Sequence, residues 1–249
     1  MGPAQIALAF SGGHAEATVR RRPRMVAIDT GDELSSDPEH CPEHQIPMSN
    51  GAMIATLAKP WVEGVKLVGP VPDHLETLAA TFEAFADCEV IVTSGGASVG
   101  DHDLLRPALE AWGATIDFWR VAMKPGKPLL VARKEDTLVL GLPGNPVSSF
   151  VTAFFFLLPV LRRLGGAAEC LPQPRDARLA SDLPAGGNRL EFVRARLEGD
   201  MAAPLGEQDS SALHALAAAN ALIERPIDAP PAAAGTLVPV YLLENGGIA

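Results

Sequence analysis

The amino-acid sequence predicts an α/β protein, namely a three-layer α/β sandwich followed by a small, mostly β domain. Strand-like and helix-like segments alternate from Met25 onward, which is typical of a sheet covered by helices. The run Val90–Val92 is β-branched throughout, as expected of a strand buried on both faces. After the proline-containing stretch Leu171–Asp176 the pattern changes, which indicates a linker. The predicted parts are an N-terminal remnant at residues 1–24, the α/β domain at 25–170 and the β domain at 171–249.

Short apolar runs and helical spacing predict the first half of the α/β domain. Met25–Ile28 and Val65–Val71 are apolar runs of strand length. In Ala52–Leu57 the apolar positions recur at helical spacing. A second helix is predicted from about Leu75 to Phe85, because its apolar residues form one stripe, and Asp73 stands where it could cap that helix.

The second half of the α/β domain repeats this pattern. A helix from about Leu104 to Trp112 is predicted to end at Gly113, since glycine commonly ends helices. Three strands follow, at Ile116–Val121, Leu129–Ala132 and Leu138–Leu140. The most apolar run, Val147–Leu161, is shorter than a bilayer-spanning helix and contains serine, threonine and proline. We therefore expect it to be a core helix and expect no membrane association.

The β domain is predicted from alternation and turns. Leu190–Leu197 alternates like a strand, Glu198–Asp200 reads as a turn, and Leu237–Leu243 is a second strand. One helix, Ala212–Ala221, is expected to interrupt the strands, with Ser210 or Ser211 as its cap.

Composition limits the classes of function. The chain has 249 residues, of which 47% are hydrophobic and 20% charged, as in a globular protein. Its net charge of −10 argues against nucleic acid as a partner, because binding to a phosphate backbone needs surplus basic groups. A small anion remains compatible with this charge, since one cleft of an acidic protein can be locally positive.

The cysteines and the N-terminus predict a cytoplasmic protein. Cys41, Cys88 and Cys170 are far apart, without CxxC spacing, and we expect all three to be reduced. The N-terminus lacks the order of regions that marks a secretory signal. Residues 1–24 contain two fragments of ordered structure without a local partner, which suggests the end of a domain that is missing from this chain.

A glycine- and serine-rich loop follows the predicted central strand. Thr93–Asp103 places three glycines and two serines before two carboxylates. Glycines let backbone N–H groups approach an anion closely, so the loop is predicted to hold a phosphate; a plain flexible turn is the alternative. Asp101 and Asp103 are candidate Mg²⁺ ligands, although Asp103 alternatively caps the following helix.

Two further loops carry candidate anion sites. Met123–Pro128 places Lys124 and Lys127 three residues apart in a backbone stiffened by prolines, an arrangement suited to a dianion. Leu142–Pro146 leads directly into the apolar helix, so free N–H groups at the helix start are expected to point out of this loop. An ordinary surface turn is the alternative in both cases.

Common nucleotide and hydrolase motifs are absent from the sequence. It contains no GxxxxGK[ST], GxGxxG, GxSxG or HExxH. His40 and His44 lie in a proline-rich acidic loop and are interpreted as solvated rather than as metal ligands.

Taken together, these motifs resemble the MoeA family, the molybdopterin molybdenumtransferases. The resemblance covers about residues 15–245 and includes its C-terminal part. It rests on Thr30-Gly31-Asp32-Glu33-Leu34, Ser49-Asn50, Asp73, Thr93–Asp103, Lys124–Pro128, Pro143–Pro146, Asn188–Arg194 and Gln208–Ser211, in family order and approximate spacing. It implies a pterin-binding sandwich of the MoaB/Mog type, followed by the family's last domain.

The resemblance also implies an activity and its substrates. Molybdate is inserted into the dithiolene of adenylylated molybdopterin, and cleavage of the pyrophosphate bond with Mg²⁺ releases AMP. Implied catalytic residues are Glu33, Asp73, Asp101, Asp103, Lys124 and Lys127, with Asp73, Asp101 and Asp103 serving the metal. Lys124, Lys127, Arg189 and Ser210 are implied to hold molybdate. The pterin nucleotide is implied to contact Thr30, Gly31, Asp32, Asn50, Ser94, Gly95, Gly96, Ser98, Gly100, Pro125, Gly126, Pro143, Gly144, Asn145 and Pro146.

The sequence departs from the family in three ways. Family members carry two further N-terminal regions, Met48 stands where Asp is usual, and Asp29 stands where Ser is usual. A homodimer is implied, and a separate protein carrying the N-terminal half is a further candidate partner. The alternative functions are a non-catalytic pterin-nucleotide-binding or scaffold module and a molybdopterin adenylyltransferase; the β domain argues against the second, because the single-domain relatives lack one.

Overall fold

The computed structural model describes residues 2–96 and 104–243 of the chain. Its strands are β1 (Arg24–Thr30), β2 (Leu34–Ser35), β3 (Ile46–Pro47), β4 (Gly64–Val71), β5 (Val90–Ser94), β6 (Thr115–Trp119), β7 (Met123–Lys124), β8 (Leu130–Lys134), β9 (Thr137–Leu142), β10 (Arg175–Leu179), β11 (Leu190–Glu198), β12 (Met201–Pro204), β13 (Ala221–Arg225) and β14 (Leu237–Leu242). Its α-helices are α1 (Pro3–Ser11), α2 (Asn50–Ala58), α3 (Leu75–Ala84), α4 (Leu105–Trp112), α5 (Pro146–Thr152), α6 (Leu158–Leu164) and α7 (Leu213–Ala218).

The first part of the chain forms one six-stranded sheet in the order β4-β1-β5-β9-β8-β6. β4, β1, β5 and β9 are parallel, whereas β8 runs antiparallel to both of its neighbours. The carboxyl ends of the four parallel strands therefore lie at one edge of the sheet, where α/β proteins commonly bind ligands.

Alternate residues of the central strands pack against helices on opposite faces of this sheet. Met25 and Ala27 belong to the core beneath α2, α5 and α6, while Val26 and Ile28 belong to the core beneath α3 and α4. Both faces are thus covered, which explains the continuous apolar runs in the sequence. The predicted three-layer sandwich is confirmed.

The second part of the chain folds into a small barrel. Its five strands follow the order β12-β10-β14-β13-β11, and pairing of β11 with β12 closes the circle. β7 from the first part pairs with β11 at Leu190↔Met123 and Glu191↔Lys124. This short pairing brings the loop after β7 against the barrel.

The apolar run after Pro146 forms a continuous helical segment, Pro146–Leu164, with a π-helical turn at Ala153–Leu157. By length and composition alone it could cross a membrane, yet 67% of its most apolar window is buried inside the protein. It packs in the core beneath the sheet, as the sequence predicts.

Two predictions for the second part of the chain were wrong, and a third extended too far. The predicted linker Leu171–Asp176 lies outside helices and strands up to Pro174, but its last two residues belong to β10. The predicted helix Ala212–Ala221 is only α7, because Ala221 pairs with Ala195 in the barrel. Neither serine caps this helix, since the residue before it is Ala212 and no side-chain capping bond forms. Barrel pairing overrides the helical propensity of the alanines.

Candidate functional site

A small pocket opens at the carboxyl ends of β1, β5 and β9, and we name it the strand-end pocket. Its volume is about 100 Å³. It is lined by Asp29, Thr30, Glu33, Leu34, Ile46, Pro47, Met48, Ser49, Asn50, Ser94, Gly95, Gly144 and Pro146. Residues from four separate segments meet here because parallel neighbouring strands end at the same edge.

Asn50, the first residue of α2, ties these segments together. Its Nδ2 donates to Ser94 Oγ and to the Gly144 carbonyl oxygen, each over 2.7 Å. One amide group thereby holds the loops after β5 and β9 against the start of α2. The pocket is preformed by hydrogen bonds between loops that are distant in sequence.

Gly95 allows the loop after β5 to lie directly against β1. Its φ is +100°, and a Cβ at this position would lie 2.3 Å from the Thr30 carbonyl oxygen. Only glycine fits such a close approach of two backbones. The glycine-rich character of the loop thus has a steric cause at this residue.

Asp29 places a buried carboxylate beside the start of α2. Its Oδ2 accepts the Gly51 N–H over 2.9 Å. Burial raises the pKa of Asp29 above its ordinary value, while the Gly51 N–H and the Ser94 hydroxyl act in the opposite direction. Asp29 Oδ1, Thr30 Oγ1 and Asn50 Oδ1 are buried without a hydrogen-bond partner among the described residues. The pocket therefore offers polar atoms that are left for a ligand or water.

Asp32, Glu33 and Asp73 form an acidic group at the rim of the strand-end pocket. The Asp73 N–H donates to Asp32 Oδ1 over 3.3 Å, and Asp73 Oδ1 is buried without a partner in the described chain. Burial, followed by the charges of Asp32 and Glu33, raises the pKa of Asp73. Asp73 does not cap α3, whose capping position is His74.

This acidic group fits a hard cation only in part. Within residues 2–96 and 104–243, no group of three or more His, Cys, Asp or Glu side chains is arranged to hold a metal ion. Mg²⁺, however, commonly binds one or two protein carboxylates together with phosphate oxygens of a substrate. The unpartnered Asp73 carboxylate beside Asp32 suits that mode, since a cation would offset the crowded negative charge.

A second, larger cavity of about 670 Å³ lies between the sheet and the barrel, and we name it the Lys/Arg cavity. It is lined by Lys124, Pro125, Gly126, Lys127, Pro128, Ser148, Leu183, Pro184, Arg189, Glu191, Phe192, Val193, Arg194, Pro204, Leu205, Gln208, Asp209, Ser210 and Arg225. Its wall thus combines the loop after β7 with β11, β13 and the segment after β12.

Cations dominate the Lys/Arg cavity although the protein is acidic overall. Five of its lining residues are lysine or arginine and two are carboxylates, whereas the whole chain carries a net charge of −10. Lys124 Nζ lies 2.6 Å from Glu191 Oε1, so one of the carboxylates already has a partner. The remaining surplus of positive charge is suited to a small, multiply charged anion.

Ser210 connects the two cavities. Asn145 Nδ2 donates to Ser210 Oγ over 2.8 Å, and the Val147 N–H donates to the Ser210 carbonyl oxygen over 3.2 Å. One of the N–H groups expected to be free at this helix start is therefore occupied, since the Val147 N–H donates to Ser210. The segment Gly144–Ser148 forms a shared wall between the strand-end pocket and the Lys/Arg cavity.

The structure distributes the predicted site residues over these two cavities. Thr30, Glu33, Asn50, Ser94, Gly95, Gly144 and Pro146 line the strand-end pocket. Lys124, Pro125, Gly126, Lys127, Arg189 and Ser210 line the Lys/Arg cavity. Six further residues line neither cavity: Gly31, Asp32, Asp73, Gly96, Pro143 and Asn145. All of them except Asp73 are next to a lining residue in the chain, and the Asp73 N–H donates to Asp32 beside Glu33. Ser98, Gly100, Asp101 and Asp103 lie outside the described residues.

Sequence reasoning missed several lining residues. In the sequence, Asp29 is distinguished only as a departure from the family, and Glu191, Arg194 and Gln208 only as members of family motifs without an implied role. Arg225 carries no local signal of a site, because it occupies an ordinary strand position. The Lys/Arg cavity could be recognised only after the barrel had been placed against the sheet.

The fold and the two cavities define the class: a ligand-binding α/β sheet protein with a docked β-barrel and a basic cavity between them. Residues 26–163 match the family described as "Probable molybdopterin binding domain", and residues 176–243 match "MoeA C-terminal region (domain IV)". The chain belongs to the MoeA family of molybdopterin-binding proteins.

Known relatives agree with this assignment. A molybdopterin molybdenumtransferase of Staphylococcus aureus is 32% identical over 98% of this chain and 59% of its own length. Molybdopterin molybdenumtransferase 2 of Mycobacterium tuberculosis is 33% identical over 96% of this chain and 61% of its own length. A structure of the molybdopterin biosynthesis MoeA protein from Pyrococcus horikosii superposes with a TM-score of 0.83 at 27% identity, covering 98% of this chain and 60% of that one. The chain thus spans about three fifths of the relatives that it matches.

Proposed function

We propose that this chain forms the molybdopterin-binding and C-terminal parts of a molybdenumtransferase. The reaction inserts molybdate into the dithiolene of adenylylated molybdopterin, cleaves the pyrophosphate bond and releases AMP. The observation that carries the proposal is the pair of neighbouring cavities, of which one is acidic and lies at the strand ends, while the other is basic and lies against the barrel.

In this proposal the strand-end pocket binds the pterin nucleotide. The amide of Asn50 fixes the pocket's shape, and Asp29, Thr30 and Asn50 offer unpaired polar atoms for the ligand. The close approach of Gly95 to the Thr30 carbonyl oxygen fixes the wall of the pocket at this edge of the sheet. The glycine-rich loop 97–103 is proposed to contribute the contacts of Ser98 and Gly100.

Molybdate is proposed to bind in the Lys/Arg cavity at Lys124, Lys127, Arg189 and Ser210. Its charge of −2 would be repelled by the carboxylates at the strand ends and attracted by these cations. Ser210 stands at the wall between the two cavities, so it is placed to present the anion to the neighbouring ligand. Holding the two reactants side by side supplies much of the rate in such a transfer.

Mg²⁺ is proposed to bind at Asp73, together with Asp101 and Asp103 and the substrate phosphates. When bound, it would offset the charge of the pyrophosphate and of the acidic group at the rim. Asp32, Glu33 and Asp73 would then hold the phosphates through the cation. Without it, the negative charges of these carboxylates would repel the phosphates. We place Glu33 in the same cleft.

Full activity is proposed to require the part of the relatives that this chain does not match. α1 supports this proposal, because its apolar residues Leu8 and Phe10 are 73% and 63% exposed and none of its residues is buried. Either a second copy of this chain or a separate protein with the N-terminal half could cover such a helix. We further propose a cytoplasmic location, in keeping with three free thiols.

The limited coverage of the relatives favours one alternative, namely a chain that binds the pterin nucleotide without turning it over. The experiment that separates these functions measures AMP release from adenylylated molybdopterin with Mg²⁺ and molybdate. It uses the chain alone and the chain with the N-terminal half of a relative added. AMP release in either case supports the transferase, and nucleotide binding without release supports the binding module. No binding of the pterin nucleotide in either case rules out both.

A further inference from the structure

Arg194 of β11 is a buried charged residue that the proposed reaction does not use. Only 1% of its surface is exposed, and it is the largest of the fully buried side chains. Its Nη2 donates to two main-chain carbonyl oxygens, those of Glu207 and Asp209, each over 2.9 Å. When a buried guanidinium donates to main-chain carbonyl oxygens, these hydrogen bonds fix the backbone conformation of the segment that contains the carbonyls.

A second set of hydrogen bonds holds the same segment to the same residue. The side-chain amide of Gln208 accepts the Arg194 N–H over 3.0 Å and donates to the Arg194 carbonyl oxygen over 3.0 Å. It also donates to the Leu205 carbonyl oxygen over 2.7 Å. The segment Leu205–Ser210 is therefore attached to the middle of β11 from two sides.

This segment ends at the residue that links the two cavities. Ser210 accepts hydrogen bonds from Asn145 and from Val147 at the start of α5. In the absence of the bonds to Arg194, the carbonyls of Glu207 and Asp209, which precede Ser210, would lose their fixed direction. The position of Ser210 relative to Asn145 thus depends on Arg194, which lies on β11.

We propose that Arg194 is a positioning residue that sets the geometry of Ser210 between the strand-end pocket and the Lys/Arg cavity. This inference rests on the proposed function, because it assigns to the same site the residue that orients its hydroxyl. Arg194 also lines the Lys/Arg cavity, and its Nε has no hydrogen-bond partner among the described residues. A purely electrostatic role for its charge is therefore the competing explanation.

The test is a double-mutant cycle between Arg194→Met and Ser210→Ala, read out as the affinity for molybdate in calorimetric titrations of the full chain. If Arg194 acts through Ser210, each single variant weakens molybdate binding by about 10-fold and the double variant is also about 10-fold weaker. Independent roles would make the losses multiply to about 100-fold, and that outcome overturns the proposal.

Arg194→Lys separates position from charge. Lysine keeps the positive charge but cannot hold two carbonyls with one planar group, so we expect it to lose about as much affinity as Arg194→Met. Wild-type affinity in Arg194→Lys would show that only the charge matters. Arg196→Met is the matched control, since Arg196 lies on the same strand with its side chain 56% exposed, and its affinity should stay unchanged.

A readout without ligand keeps the inference separate from the proposed function. The Val147 N–H, which is bonded to Ser210, should lose hydrogen-exchange protection at least 10-fold in Arg194→Met, while the barrel amide of Ile223 keeps its protection. Equal loss at both amides would mean that Arg194 stabilises the barrel in general rather than the contact of Ser210, and this outcome overturns the inference, as does no loss at Val147. Absence of molybdate binding by the wild type would instead overturn the proposed function.

Discussion

The strand-end pocket and the Lys/Arg cavity are neighbours of opposite charge. Asp29 and Glu33 line the first, whose described wall residues include no basic side chain, whereas cations outnumber carboxylates in the second. The net charge of the chain therefore does not indicate the local charge of either cavity. The difference shows that the local charge around a cavity can be opposite to the net charge of the chain, so the expected ligand of each cavity follows from its own lining residues.

The two cavities also differ in how they are built. The strand-end pocket needs only parallel neighbouring strands whose loops meet at one edge, as in other open α/β sheets. The Lys/Arg cavity needs the docking of a barrel, in which Lys124 reaches Glu191 across 67 positions of sequence. The first cavity should therefore depend on backbone geometry and the second on charge and domain contact.

The largest expected effect comes from Gly95→Ala, which tests the backbone geometry of the strand-end pocket. The new methyl group would collide with the Thr30 carbonyl oxygen, and alanine is strained at φ +100°. We expect a loss of about 3 kcal/mol in the free energy of unfolding, measured by urea denaturation, together with loss of pterin-nucleotide binding.

Gly113→Ala is the control for this variant. Gly113 has a similar φ of +89°, but no atom lies within 4 Å of the added methyl group. It should cost about 1 kcal/mol from strain alone. Equal losses for the two glycines would show that contact with Thr30 has no special importance.

A smaller effect is expected from Lys127→Met, which tests the charge of the Lys/Arg cavity. Removing one ammonium group should weaken molybdate binding by about 10-fold in calorimetric titrations at low salt. Affinity for the pterin nucleotide should stay within about 2-fold, because Lys127 does not line the strand-end pocket.

Lys59→Met serves as the comparison for Lys127→Met. Lys59 is exposed at the end of α2 and lines neither of the two cavities, so its variant should bind molybdate like the wild type. Equal weakening by both variants would mean that molybdate responds to the overall charge of the protein rather than to this cavity.

The smallest expected effect concerns Asp29→Asn and the pH dependence of stability. Burial raises the pKa of Asp29 in the folded protein above its ordinary value of 3.8, so the folded state binds this proton more tightly than the unfolded state does. The stabilisation from Asp29 is complete at a pH below its ordinary pKa, which applies to the unfolded chain. It is lost as the pH rises through the raised pKa of the folded protein. The variant should therefore gain stability relative to the wild type between pH 4 and pH 7, measured by urea denaturation at several pH values.

Asp37→Asn is the control for this measurement, because we expect its relative stability to change with pH in the opposite direction. The His40 side chain lowers the pKa of Asp37, so the wild type gains stability from this group as pH rises. The variant should lose, rather than gain, relative stability toward neutral pH. A flat difference for Asp29→Asn would show that its carboxylate is not disfavoured by burial.

Much of the first part of the fold could be predicted from the sequence. The alternation of apolar runs with helical stripes predicted every strand of the six-stranded sheet within a few residues, and Gly113 ends α4 as expected, with φ +89°. These elements are read easily because burial on two faces leaves continuous apolar strands such as β5.

The barrel was harder to predict because three of its strands, β10, β12 and β13, contain few β-branched residues. β12 contains two alanines and β13 begins with one, and alanine has low strand propensity and high helix propensity. These segments become strands only through pairing with β11, which contacts both of them. Local sequence does not contain that information.

The same division applies to the candidate site. The Lys124–Pro128 loop and the glycine-rich turn could be predicted from the sequence, because they contain residue types that bind anions. Arg194 and Arg225 could not, because a buried arginine on a strand has the same local sequence whether or not it lines a cavity.

The sequence by itself determined the three-layer sandwich, the loops at its strand ends and the family, since these depend on periodicity and on residues close together in the chain. Only the tertiary structure decided that the loops form two cavities of opposite charge, that Ser210 accepts a hydrogen bond at the start of α5, and that Arg194 holds the segment before Ser210. These features arise from contacts between residues that are 13 to 94 positions apart, and burial and distance across such a span are not local properties.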